Sequence, residues 1–221
     1  MSRLCTVMRC AELSSGFSTH CDSHKRTLRR HGHPEQKGIT VYELQPFIDR
    51  VAARRMKNPG NPTWSLLERR WEALTAHAEA TLGRYATGAP AISYERETAK
   101  QLMTLRDSVA ANRVIDVSLA MFAYSQQRPS RFKSDRALSF QLSRRVRALA
   151  TVNIGSHRSA KDGRVKRTYR DISPRVLDCL AASLTMAFGV AGLRLAELEM
   201  KDALGVNAER QELHDALKDM T

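Results

Sequence analysis

Cysteine, aromatic residues and long apolar runs are all scarce in this chain. Of 221 residues four are cysteine and 6% are aromatic. So little aromatic content argues against the aromatic-studded sheets on which common single-strand readers stack bases. The opening MSRLCTVMRC has no apolar core of the length a secretory signal needs, and its two cysteines fit a reducing, cytoplasmic setting. One charge-free stretch, CLAASLTMAFGVAGL from Cys179 to Leu193, stops short of the roughly 20 residues that a membrane span requires. Flanked by Asp178 and Arg194, it reads as a buried helix rather than a span. No repeat or low-complexity tract is present.

Positive charge is what the chain has in excess. Thirty-six Lys and Arg face 23 Asp and Glu, a net charge of +13. The surplus is local: residues 128–170 hold 13 basic and 2 acidic residues, whereas residues 171–221 hold 5 and 9. A cluster of this kind suits a dedicated anion-binding surface, nucleic acid first among its partners.

Three of the four cysteines fall within CTVMRCAELSSGFSTHCDSHKRTLRRHGHP, residues 5–34. Cys5-x4-Cys10-x10-Cys21-x2-His24 offers three thiolates and an imidazole, the donor set that tetrahedral Zn²⁺ prefers. The close Cys21-x2-His24 pair suits a helix start, as in a zinc ribbon or treble clef. A second ligand set has His20 in place of Cys21, with a gap shorter than that of the two-histidine finger. Cys179 stands apart and reads as a core residue. With its trailing Arg29-Arg30 and Gly32-His33-Pro34, the segment resembles a small zinc-binding element, Cys-x-x-His followed by arginines and Gly-Asp-Pro, that recurs in phage and mobile-element proteins, including some HNH-type endonucleases. The resemblance covers residues 5–34, departs at His33, and implies a nucleic-acid-associated module. Beyond it the only histidines are His77, His157 and His214, which do not form a nuclease frame, so no enzymatic activity is expected.

The remainder has helical periodicity, and the expected class is mainly α: an N-terminal zinc module, a helical body and a short basic β-hairpin. Thr40-x-x-Glu43 can open a helix as a capping box, although Pro46 would lie inside it and a start near Pro46 is equally defensible. Asn58–Pro62 ends that helix, and Thr63 is expected to cap the next, with Trp64, Leu67, Trp71, Leu74 and Leu82 on one face. Residues 87–93 read as a loop. Leu102, Leu105, Val109, Leu119 and Phe122 mark a long helical pattern that can break near Asn112. Ser134 or Asp135 then caps a helix with Leu138, Leu142, Val146 and Leu149 inward and Arg144, Arg145 and Arg147 pointing largely elsewhere. TVNI and RVKRTYR, around Asp162-Gly163, give the hairpin signal, and the helix-then-hairpin order resembles a winged helix. Pro174 starts the apolar helix, and Leu213 and Leu217 suggest a short helical tail docking on the same protein. The expected divisions are a zinc module at 1–38, a helical segment at 39–90, a helical domain at 91–200 with the basic hairpin at 151–172, and an acidic tail or short helix at 201–221.

These features predict a Zn²⁺-containing DNA-binding protein. Lys25, Arg26, Arg29 and Arg30 would meet the duplex from the zinc module, Arg144, Arg145 and Arg147 from a helix, and Lys161, Arg164, Lys166, Arg167 and Arg170 from the hairpin. Duplex DNA is favoured over RNA. The rival expectation is a zinc-stapled assembly protein whose 174–200 helix meets a partner or a second copy, with Gly189 and Gly192 admitting close contact.

Overall fold

The computed structural model describes residues 3–90, 92–158, 163, 165–169 and 171–218. Seven α-helices dominate them: α1 (Asp22–His31), α2 (Val41–Lys57), α3 (Pro62–Ala86), α4 (Ser93–Ser108), α5 (Ala111–Gln127), α6 (Asp135–Arg147) and α7 (Pro174–Lys218).

Local chemistry sets most of the boundaries. Thr40 and Glu43 form a reciprocal capping box, so α2 begins at Val41 and carries Pro46 inside it. The cap of α3 is Asn61 rather than the expected Thr63: its side chain accepts the Thr63 N–H, and Pro62, lacking an N–H of its own, takes the first helical position. The long pattern breaks at Val109, whose backbone is extended, slightly before the expected Asn112. Ser134 caps α6 by accepting the Ala137 N–H.

Helix α5 is the axis of the body. Every residue from Val114 to Ser125 is buried, and α2, α3, α6 and α7 pack around it. A single apolar core runs from Ile39 to Ala196, so 39–90 and 91–200 share one interior. Gly192 lies where α7 crosses α5; a Cβ there would stand 2.7 Å from the Phe122 side chain. Gly192 thus admits a neighbour within the same chain, not the partner expected from sequence, and Gly189 faces Phe122 as well.

Helix α7 continues through the acidic segment to Lys218, with no break at 201. The expected docking of Leu213 and Leu217 concerns side chains outside the description. Pro174–Gly205 is long and apolar enough to cross a membrane, with mean hydropathy 1.8 in its most apolar window, which is longer than the charge-free stretch alone suggests. Half of that window is buried inside the protein, as in a core helix. Cys179 is half-buried on α7 rather than fully within the core.

Two short strands, β1 (Ile154–Arg158) and β2 (Val165–Tyr169), lie antiparallel, with Ile154 opposite Tyr169 and Arg158 opposite Val165. Residues 159–162 and 164, on which the hairpin turn would fall, lie outside the described ones. Thr151–Asn153, expected to be extended, forms a 3-10 turn.

Candidate metal centre and the basic recess beside it

Among the described residues, 3–31 have almost no apolar interior. Their core is Cys5, Val7 and Cys21, with Cys10 partly covered against them. Backbone bonds fold the segment back on itself: the Cys5 N–H donates to the Glu12 carbonyl, Thr6 to Thr19, and Ser14 to Arg3. The Cys10 N–H reaches the Val7 carbonyl across a turn in which Arg9 takes a left-handed conformation (φ 63°). Cys21 then starts α1, and its carbonyl accepts the Lys25 N–H. One helical turn places Cys21 and His24 on the same side.

The four expected ligand atoms meet, all within 4.8 Å of one another. Cys10 Sγ and Cys21 Sγ are 3.9 Å apart, and His24 Nδ1 stands 3.2 Å from Cys21 Sγ and 3.4 Å from Cys5 Sγ. A tetrahedral ion about 2.3 Å from sulfur and about 2.0 Å from nitrogen requires S···S edges of about 3.8 Å and S···N edges of about 3.5 Å. These three edges match that geometry, so the four residues could hold a metal ion. His20 is not part of it; its Nδ1 pairs with the Thr19 hydroxyl. Burial of the Cys5 thiol favours its proton, but backbone N–H groups of Cys21 and Val7 and the His24 imidazole outweigh this and lower its pKa to about 6. At Cys10 a backbone bond from Glu12 lowers the pKa, and desolvation with the adjacent thiols prevails, raising it. Thiols crowded in this way repel one another once ionised, a repulsion that a cation relieves.

Three contacts fix this module on the body. Gly32 (φ 80°) ends α1 so close to α6 that a Cβ would lie 2.7 Å from the Arg136 carbonyl oxygen, so only glycine fits. His31 accepts a hydrogen bond at Nδ1 from the Gln141 amide, 3.0 Å away, while Gln141 Oε1 accepts the Ile39 N–H. Burial, then the charges of Arg144 and Arg30, push the His31 pKa down to about 4, which keeps the ring neutral and able to accept. Buried Gln36 ties the following strap to the segment before α6, donating to the Lys37 and Arg131 carbonyls and accepting the Lys133 N–H.

Docking brings two of the expected basic groups together. Lys25, Arg26, Arg29 and Arg30 are all exposed on α1, which buries no residue. Arg30 Nε donates to Asp171 at 2.7 Å, and Arg144 approaches the other carboxylate oxygen at 3.5 Å. Arg29, Arg30, Arg144 and Arg147 line one small recess around Asp171. It adjoins a cleft of about 610 Å³ through Arg147, Asp171 and Ile172, and there Arg96 and Lys100 of α4 add two further cations.

One expectation needs correction. Arg147 is 5% exposed, and its Nε donates to Gln101 Oε1 at 2.8 Å. Its guanidinium fills the gap between α6 and α4 rather than standing out toward a groove. Arg144 and Arg145 are half-buried. Lys161, Arg164 and Arg170 lie outside the described residues, as do the side chains of Lys166 and Arg167 on β2. His77 is exposed on α3. The sequence reading missed Gln36, Gln141, His31 and Asp171, which carry the docking, and Arg96 and Lys100, whose charges lie in a stretch of balanced composition.

Comparison with family models, curated proteins and solved structures returned no match. No family is shown. The functional reading therefore rests on the cluster and the surface it holds in place.

Proposed function

We propose that the protein is a zinc-containing, non-catalytic DNA-binding protein whose metal module presents α1 to the phosphate backbone beside the recess around Asp171. The cysteines and His24 hold Zn²⁺ in a treble-clef-like module. Three free thiols suit the reducing, cytoplasmic setting expected from sequence.

One observation carries the reading. Arg29, Arg30, Arg144, Arg96 and Lys100, with the buried Arg147 at the junction, line two adjoining recesses whose acidic lining residues among the described ones are Asp171 and Glu97. Asp171 pre-orients two of the guanidinium groups, and the outer cations supply the charge that attracts phosphate. In this reading the basic segment with β1 and β2 would add a wing to the surface. A duplex laid along it meets cations from three helices.

The test is binding of the zinc-loaded protein to random-sequence duplex over a salt series. Affinity is expected to fall linearly on a log–log plot, because each neutralised phosphate releases condensed counterion. Reversing Arg96 and Lys100 together, or Lys25, Arg26 and Arg29 together, is expected to weaken binding by about tenfold or more and flatten the slope. Salt-insensitive binding, or unchanged affinity in both reversals, would refute the proposal. Tighter binding to single-stranded RNA than to duplex would move it to RNA.

A further inference from the structure

Helix α7 has two faces with different tasks. The inner one, with Leu180, Leu184, Phe188, Leu195 and Ala196, belongs to the core. The outer one bears Met186, Val190, Leu193, Met200 and Leu204, which are 78%, 76%, 43%, 40% and 70% exposed. Large apolar side chains aligned at this exposure are unusual on a surface otherwise rich in charge.

Their order is more informative than their number. Met186, Val190, Leu193, Glu197, Met200 and Leu204 are separated by four, three, four, three and four residues. That is the spacing of a two-helix seam, and on a straight helix it occupies one face for about 27 Å. The interval series also reads the same in both directions. An antiparallel second helix of identical sequence therefore matches it at every position: Met186 opposite Leu204, Val190 opposite Met200, and Leu193 opposite Glu197.

Charge agrees with this register. Glu197 is the one polar member of the seam, and its carboxylate pairs with Arg194 at 2.7 Å while both side chains remain well exposed. The two-fold axis of the antiparallel arrangement passes beside residue 195. Each Glu197 then also lies next to Arg194 of the second copy, and the four charges alternate in sign. In area, the five apolar side chains and their flanks offer roughly 500 Å² per copy, or about 1,000 Å² in a pair, the size at which specific association begins.

We propose that two copies of this chain associate through the outer face of α7, antiparallel and two-fold symmetric about residue 195, with Arg194 and Glu197 of both copies closing the centre. The proposal does not depend on DNA binding. Its consequence for that reading is that the pair carries two zinc modules and two basic recesses related by the same axis.

Sedimentation of the full-length, zinc-loaded protein over a hundredfold range of concentration tests it. The expected species has twice the 24.8 kDa of the chain. Met186→Asp and Val190→Asp each alter an exposed position and are expected to weaken the pair by about tenfold or more with unchanged circular dichroism. Arg194→Glu and Glu197→Arg are each expected to weaken it, and the double reversal to recover most of the loss, because alternation is restored. A single species of 24.8 kDa throughout would overturn the proposal, as would a dimer indifferent to all four substitutions. So would capture of the monomer by phosphatidylcholine vesicles, since the same face would then be meeting lipid. Reversal of Arg96 and Lys100 is expected to leave the dimer intact, which separates a failure here from a failure of the DNA reading.

Discussion

Glu43 serves two elements at once. Its Oε2 accepts the Thr40 N–H and hydroxyl at 2.7 and 2.8 Å, completing the cap of α2, and its Oε1 accepts Arg131 Nε at 2.9 Å from the turn before α6. Burial would raise its pKa, but Arg131 and Thr40 outweigh burial and hold it down to about 2. A carboxylate depressed in this way contributes stability that is present above its ordinary pKa of about 4.5 and is lost as pH falls toward 2. Glu43→Gln is therefore expected to cost about 2 kcal/mol at pH 7, after allowance for partial exposure, with the deficit shrinking below pH 4. Urea unfolding of both proteins at pH 7 and pH 3 measures it; an equal deficit at both would assign the effect to the cap alone. Thr40-x-x-Glu43 was visible in the sequence as a cap, but Arg131 was not, because it stands 88 residues away and only the packing of α2 against α5 brings it near.

At the level of elements, closeness between helices is set by what a position lacks. Gly192 allows α7 to cross α5 with the Phe122 ring in van der Waals contact with its backbone. Gly192→Ala is expected to destabilise the fold by about 1–3 kcal/mol despite the higher helix propensity of alanine, since the new methyl has to displace a ring packed in the core. Gly205, with nothing near it, is the control: Ala there is expected to be neutral or slightly stabilising. Chemical denaturation of the two variants decides, and equal behaviour would mean the crossing is looser than the geometry shows. The same contrast explains how much was legible. Helix starts at Thr40, Ser134 and Pro174 were readable because caps and proline act within a few residues of themselves. The clustering of the four candidate ligands was readable because Cys21 and His24 need only one helical turn to converge. The fate of Arg147 was not, because whether an arginine in the last turn of α6 meets water or Gln101 is decided by α4, and nothing local encodes that. The continuation of α7 past residue 200 escaped for the opposite reason: its charged composition suggested a change of element, yet no proline interrupts it.

For the whole molecule, the consequence is an asymmetry between two interiors. The body draws on a core that runs from Ile39 to Ala196, whereas the N-terminal module has little beyond its own ligand residues and Val7. In the proposed function a metal ion at the cluster supplies what this second interior lacks to offset the conformational entropy of ordering some thirty residues. Chelation is therefore expected to release the module and leave the body folded. Amides of Cys5, Thr6, Cys10, Ser14 and Ser15, now bonded within the module, would exchange rapidly, while those of Val114–Ser125 remain protected. The far-ultraviolet signal would fall by about the ten residues of α1. Contacts through Gly32, His31 and Gln141 hold only the last turn of α1 and do not reach Cys5 or Cys10, so docking alone is not expected to keep the module in order. The proposed binding to duplex should weaken together with the amide protection, because Lys25, Arg26 and Arg29 would then be carried on a loose chain that loses entropy again at each contact. If the metal-free protein retained its amide protection, the module would be stabilised by the body, and the metal would have to be given some role other than folding.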